Sequence, residues 1–174
     1  VDLSVAESCQ IFHEHVTYAA KHHFVHDNYL RVRGSPVLFL HTMRDYANYK
    51  ECLKVTFEQV EQDIGTYPYI VADAVWWSPG SDRMPWGDYK HVNVSALTAF
   101  NLVDHSQPSR MGPSFAWYSA QLYHDVIKGA FKHDMQVVPM VMPGYDDSKL
   151  RGASQTVISR AGGAEFVHQW KQML

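Results

Sequence analysis

Two short, unbroken apolar runs, Val37-Leu38-Phe39-Leu40 and Tyr69-Ile70-Val71-Ala72, flank a stretch in which Tyr46, Tyr49, Leu53, Phe57, Val60 and Ile64 recur every three or four residues. The runs read as strands buried on both faces, and the stripe between them as an amphipathic helix that Gly65 closes. The turn Arg33-Gly34-Ser35-Pro36 precedes the first strand. Strand, helix, strand in this order is a parallel β/α unit.

The same alternation extends in both directions. Val5, Cys9, Phe12, Val16, Ala19 and His23 fall at helical spacing, with Ser4 and Glu7 at the capping-box distance, which predicts a first helix to about Phe24. Ala96 to Phe100 reads as a third strand. Phe115, Tyr118, Leu122, Val126 and Ala130 mark a helix starting near Ser114, and Val137 to Met142 reads as a fourth strand ending at Pro143-Gly144. A last helix follows Gly162-Gly163 and is expected to place Phe166, Trp170 and Met173 on one side. Residues 76–87, with Trp76, Trp77, Pro79, Gly80, Pro85, Trp86 and Gly87, hold too many breakers for regular structure and read as a functional loop.

The fold class is therefore α/β, built from parallel β/α units in a single domain spanning residues 1–174. Four units fit a small open sheet or about half of a (β/α)8 barrel, which typically takes ~250 residues. In either architecture ligands bind outside the carboxyl ends of the strands. Those ends offer His41 and Arg44, then Asp73 with Trp76 and Trp77, then Asn101 and Asp104, then Tyr145, Asp146 and Asp147, with Arg151 a turn further. Carboxylates for acid, base or nucleophile work, neutral hydrogen-bonding groups and aromatic faces together suit a carbohydrate. Residue by residue the plainer reading is even with this one: Asp73 and Asp104 as caps, Asp146-Asp147 as a turn.

Composition narrows the classes. Of 174 residues 46% are hydrophobic, but no run approaches the ~18 apolar residues of a membrane span. Fifteen basic against eighteen acidic residues form no basic stripe, which argues against nucleic acid. Five Trp, ten Tyr and eight Phe supply flat faces for stacking or for a core. Residues 1–20 do not have the pattern of a secretory signal. Cys9 and Cys52, the only cysteines, make neither a CxxC pair nor a metal quartet, and two cysteines alone define no disulfide framework. His13, His15, His22, His23 and His26 cluster, but without the spacing of a metal site. There is no GxSxG elbow and no GxGxxG or P-loop, so no metal and no cofactor is expected. Asn93-Val94-Ser95 matches the N-glycosylation pattern, a motif short enough to recur by chance.

Several strings, in order, resemble one family. His26-Asp27-Asn28-Tyr29-Leu30-Arg31-Val32-Arg33-Gly34-Ser35-Pro36-Val37 is similar to a passage of glycoside hydrolase family 99-like proteins, the group around endo-α-mannosidase and WbsX-like polysaccharide proteins. Tyr69 to Ala74, Val94 to Asn101 and Pro139 to Asp147 resemble its following strand segments. The resemblance implies strands three to six of a (β/α)8 barrel that hydrolyses α-mannosidic or related linkages. It also implies a secretory, periplasmic or extracellular location, with the missing strands supplied by flanking sequence or another chain. The family's catalytic pair of glutamates lies on a later strand, in a Ser-Phe-Asn-Glu-Trp-like motif absent here. From the resemblance, Asp73 and Tyr145 are expected as substrate contacts, Asp146 and Arg151 as a pair ordering a loop, and Trp76, Trp77 and Asn101 as sugar contacts. A noncatalytic carbohydrate-binding or polysaccharide-assembly protein, and a small open-sheet domain, are the alternatives.

Overall fold

The computed structural model describes residues 1–74, 84–100, 102–103, 115–146, 148–150 and 157–173. Helix α1 (Ala6–Ala19) runs into a single π turn, Ala20–Phe24, and leads to the hairpin of β1 (Arg31–Val32) and β2 (Ser35–Leu40). Arg33 and Gly34 link these strands with φ of 51° and 89°, the two positive values a tight primed hairpin turn requires. Helix α2 (Lys50–Ile64) follows, then β3 (Tyr69–Asp73), a short α3 (Trp86–His91), β4 (Val94–Thr98), α4 (Phe115–Lys132) and β5 (Gln136–Val137). A two-residue hairpin, β6 (Tyr145–Asp146) with β7 (Val157–Ile158), precedes α5 (Ala164–Met173).

The sheet order is β1-β2-β3-β4-β5, with β2 to β5 parallel. Chain order and spatial order coincide, so the reversal that defines a doubly wound sheet is missing. The two faces also differ. Leu40, Ile70, Ala72 and Leu97 join Leu53, Phe57, Val60, Tyr123 and Val126 of the helices in one large core. The other face carries a separate small cluster, Val37, Val71 and Ala96. Helices on one face and a small inward cluster on the other are the arrangement of a barrel segment. The sheet is half a barrel, which sets the open-sheet alternative aside.

The central β/α unit agrees with the sequence reading: Leu53, Phe57 and Val60 are fully buried, and α2 stops at Gly65, whose φ is 77° and whose N–H bonds the Glu61 carbonyl. Elsewhere the structure differs. Val5, not Ser4, stands at the cap of α1, because the Asp2 carboxylate two residues away takes both the backbone N–H and the hydroxyl of Ser4, at 2.9 and 2.8 Å. Trp86 and Gly87 open a helix rather than continuing an irregular loop. Trp86 lies flat on His133, and a methyl group on Gly129 of α4 would meet its ring at 2.3 Å, so that ring determines a glycine in mid-helix. The strand placed at 96–100 begins two residues earlier.

The strand expected over Val137 to Met142 pairs with β4 only to Val137, and the Val138 N–H makes the last backbone bond to it, at the Leu97 carbonyl, 2.8 Å. Pro139 has no N–H to donate, and beyond it side chains serve the main chain. Tyr123 accepts from the Met140 N–H at 2.6 Å, and Gln169 of α5 both accepts from the Met142 N–H at 2.8 Å and donates to its carbonyl at 2.7 Å. Gln169 is 0% exposed while Trp170 is 44% exposed. The buried side of α5 is thus centred on an amide, not on the apolar stripe. Gln169→Leu leaves both Met142 groups unpaired and is expected to cost about 2–4 kcal/mol, read as a lowered urea midpoint; the unpaired-group penalty is ~1–3 kcal/mol each.

Buried tyrosines set an alkaline limit. Burial, with the Asp88 carboxylate, pushes Tyr49 up to about 12, and burial pushes Tyr67 up to about 12 as well. The unfolded chain ionises first, near the ordinary value of 10, so the folded state binds more protons between these values and stability falls as pH rises. Far-UV circular dichroism is expected to hold to about pH 10 and then decline through about pH 12. A flat signal through that window would show that these hydroxyls ionise in place.

Candidate functional site

β3 ends in Asp73, whose parity matches that of Tyr69 and Val71, so its carboxylate turns to the inner face at the carboxyl end of the sheet. It is 4% exposed. Oδ2 accepts from the Thr42 N–H at 2.9 Å, and Oδ1 accepts from the Phe100 N–H at 2.9 Å and from Nη1 of Arg44 at 3.0 Å. Nδ1 of His41 stands 3.5 Å from Oδ2. One carboxylate thereby ties the chain leaving β2 and the chain leaving β4 to the end of β3 between them.

The conformation of Thr42 shows how firmly this end is held. Its φ of 50° is left-handed, a region that costs an L-residue roughly 1–2 kcal/mol and suits a β-branched side chain poorly. The bond from its N–H to Asp73 stabilises that backbone. As a result the His41 ring, 64% exposed, stands over the carboxylate and meets the Phe100 ring edge-on at 4.9 Å and 87°. Phe100 is 66% exposed, and Phe39, on the inner face, 56% exposed. The rim is a buried charge pair topped by exposed aromatic faces.

Of the eight residues expected at the site, His41 and Asp73 are brought together. Tyr145 and Asp146 form β6 of the β6–β7 hairpin, where Tyr145 packs on the main core and Asp146 accepts the Ser148 N–H at 3.0 Å, as in a turn. Gly144 permits that hairpin, since a Cβ there would lie 2.9 Å from the Ile158 carbonyl oxygen. Trp76, Trp77, Asn101 and Arg151, with Asp104 and Asp147, lie outside the described residues. Phe100 and Phe39 were missed by the sequence reading. Phe100 was assigned to the strand, and only the strand's earlier end frees it; period-two parity from Ala96 through Thr98 is the signal that places it on the inner side.

Three of the clustered histidines make local contacts. His13 bonds Thr56 Oγ1 at 3.2 Å, and His22 and His23 pack on Tyr18 with ring centroids at 4.3 and 6.0 Å. Among the described residues no three His, Cys, Asp or Glu side chains form a group able to hold a metal ion, and no helix is long and apolar enough to cross a membrane. Cys9 and Cys52, left unassigned from the sequence, form a disulfide between α1 and α2.

Fold and rim together define a half-barrel of the (β/α)8 type with a polar and aromatic carboxyl-end rim. Solved structures give that class a more particular form. The chain is similar to the GH99 endo-α-mannosidase from Bacteroides thetaiotaomicron, with a TM-score of 0.68 and 16% identity over 99% of this chain and 47% of that one. A second structure of the same enzyme, in complex with bis-tris-propane, gives 0.67 and 15%, covering 99% and 50%. A glycoside hydrolase-like protein gives 0.66 and 15%, covering 94% and 46%. The chain spans about half the length of these structures, and the fold is that of a glycoside hydrolase family 99-like half-barrel. No protein-family model and no curated protein matches the sequence.

Proposed function

We propose that the protein binds a glycan across the carboxyl-end rim and forms strands three to six of a glycoside hydrolase barrel acting on α-mannosidic or related linkages. The observation that carries this reading is the similarity to endo-α-mannosidase folds, combined with exposed aromatic faces grouped over Asp73. In it Phe100 and His41 meet the sugar, the first by its face and the second by hydrogen bonding. Asp73 acts beneath them as a positioning residue, because its oxygens are already engaged by Thr42, Phe100 and Arg44. In the same reading Tyr145, Trp76, Trp77 and Asn101 add sugar contacts, and Asp146 and Arg151 order a loop. The remaining strands and the acid and base come from flanking sequence or another chain. The Cys9–Cys52 disulfide supports a secretory, periplasmic or extracellular setting, where such bonds persist.

The test is calorimetric titration of the complete barrel with an α-linked manno-oligosaccharide. Phe100→Ala is expected to weaken binding about tenfold, the loss of one stacking contact, with the melting temperature unchanged. Equal affinity in the variant would remove Phe100 from the site. Saturable binding without hydrolysis favours the noncatalytic reading, which the full engagement of Asp73 also supports.

A further inference from the structure

Asn93-Val94-Ser95 is the N-glycosylation pattern in this sequence, and the fold gives it a definite place. Asn93 occupies the turn between α3 and β4, exposed to solvent, with a left-handed φ of 53° that asparagine tolerates better than most residues. It lies at the amino end of β4, opposite the rim. Five residues of strand separate the two ends by about 13 Å, so a group on Asn93 leaves His41 and Phe100 uncovered.

Two further observations bear on the site. The Cys9–Cys52 disulfide indicates a thiol-oxidising compartment, which in a eukaryotic cell is also where Asn-x-Ser acceptors are glycosylated. Beside Asn93 runs a shallow cleft lined by the half-buried Tyr67 and Tyr69 together with Glu58 and Glu61, aromatic and polar groups of the kind that pack against a sugar.

We propose that Asn93 is N-glycosylated and that its first N-acetylglucosamine rests in the cleft beside Tyr67 and Tyr69. In the transfer, Nδ2 of Asn93 bonds to C1 of the sugar and loses one proton. The bond from C1 to the diphosphate of the lipid-linked oligosaccharide donor breaks, and its electron pair leaves with the diphosphate. The modified amide retains one N–H, and the Tyr67 hydroxyl keeps its own bond to the Val92 carbonyl at 3.3 Å. Transfer precedes folding, because in the folded protein Ser95 Oγ accepts the Ile70 N–H at 3.2 Å across a 25-residue separation. This inference is independent of any glycosidase activity.

The experiment is peptide mapping of the protein from its source, unreduced, with and without peptide-N-glycosidase. The Asn93 peptide is expected to appear only after the enzyme, carrying aspartate at position 93, with the Cys9–Cys52 peptide pair present in the same digest. In a eukaryotic secretory host, Asn93→Asp should abolish the mobility shift while keeping a residue suited to the turn, and Ser95→Thr should retain it. An Asn93 peptide that is predominantly unmodified overturns the proposal, and so does the absence of the disulfide.

Discussion

Asp73→Ala is expected to lower stability by about 3–5 kcal/mol, the range for removing one member of a buried ion pair. The carboxylate is the acceptor for the Thr42 and Phe100 N–H groups and the partner of Arg44, whose side chain is only 14% exposed. Alanine removes the carboxylate from beside the Arg44 guanidinium and the acceptor from both backbone donors, and releases the left-handed Thr42 from the bond that holds it. Domains of this size have roughly 5–15 kcal/mol in all, so the variant should unfold at a much lower urea concentration. Asp73→Asn keeps acceptor capacity but turns a donor toward the guanidinium or a backbone N–H, and should fall between alanine and wild type. The sequence alone leads to a different expectation, weakened sugar binding with folding intact; burial of the carboxylate adds the folding cost. A loss below about 1 kcal/mol in the alanine variant would show that the rim holds without Asp73 and return it to the role of direct sugar contact.

Breaking the Cys9–Cys52 bridge is the second large effect. The bond closes a loop of 43 residues between α1 and α2. In the chain-entropy description a loop of that length is worth about 4 kcal/mol, and measured losses run at about 2–5 kcal/mol. The double variant Cys9→Ala, Cys52→Ala should therefore lose a large part of its stability, and reductant should destabilise wild type to the same degree but leave the variant unaffected. Equal stability of the two proteins would mean that packing of Val16, Ala20 and Phe24 into the core with Leu53 and Phe57 holds the helices without the covalent link.

What was legible in the sequence followed from local periodicity. β2, α2 and β3 carry strong apolar patterns, a glycine stop and clear punctuation, and each occurs where the pattern places it. The Ser4 cap failed because the rule looks forward to Glu7 and ignores an acidic group two residues behind. The fourth strand failed beyond Val137 because an apolar run in extended form looks alike whether its N–H groups meet a neighbouring strand or the side chains of Tyr123 and Gln169. On α5 Phe166 and Trp170 share one side, as their spacing places them, but the fully buried position is Gln169, since an amide paired with backbone is buried as readily as a leucine. Of the site, strand ends pointed to His41 and Asp73, but Phe100 emerged only with the true end of β4.

The class of fold follows from local pattern: apolar strands alternating with amphipathic helices can bury both sheet faces only as parallel β/α units, and that constraint is repeated along the chain. Tertiary structure alone decided that the strands follow one another around half a barrel instead of doubling back, because strand order is a matter of which edge each crossover reaches, and apolar pattern is the same for either edge. It likewise decided that Cys9 meets Cys52 and that Asp73 joins three strand ends. Those contacts unite residues 27 to 43 positions apart, and pairing over such distances depends on the packed geometry of the whole sheet.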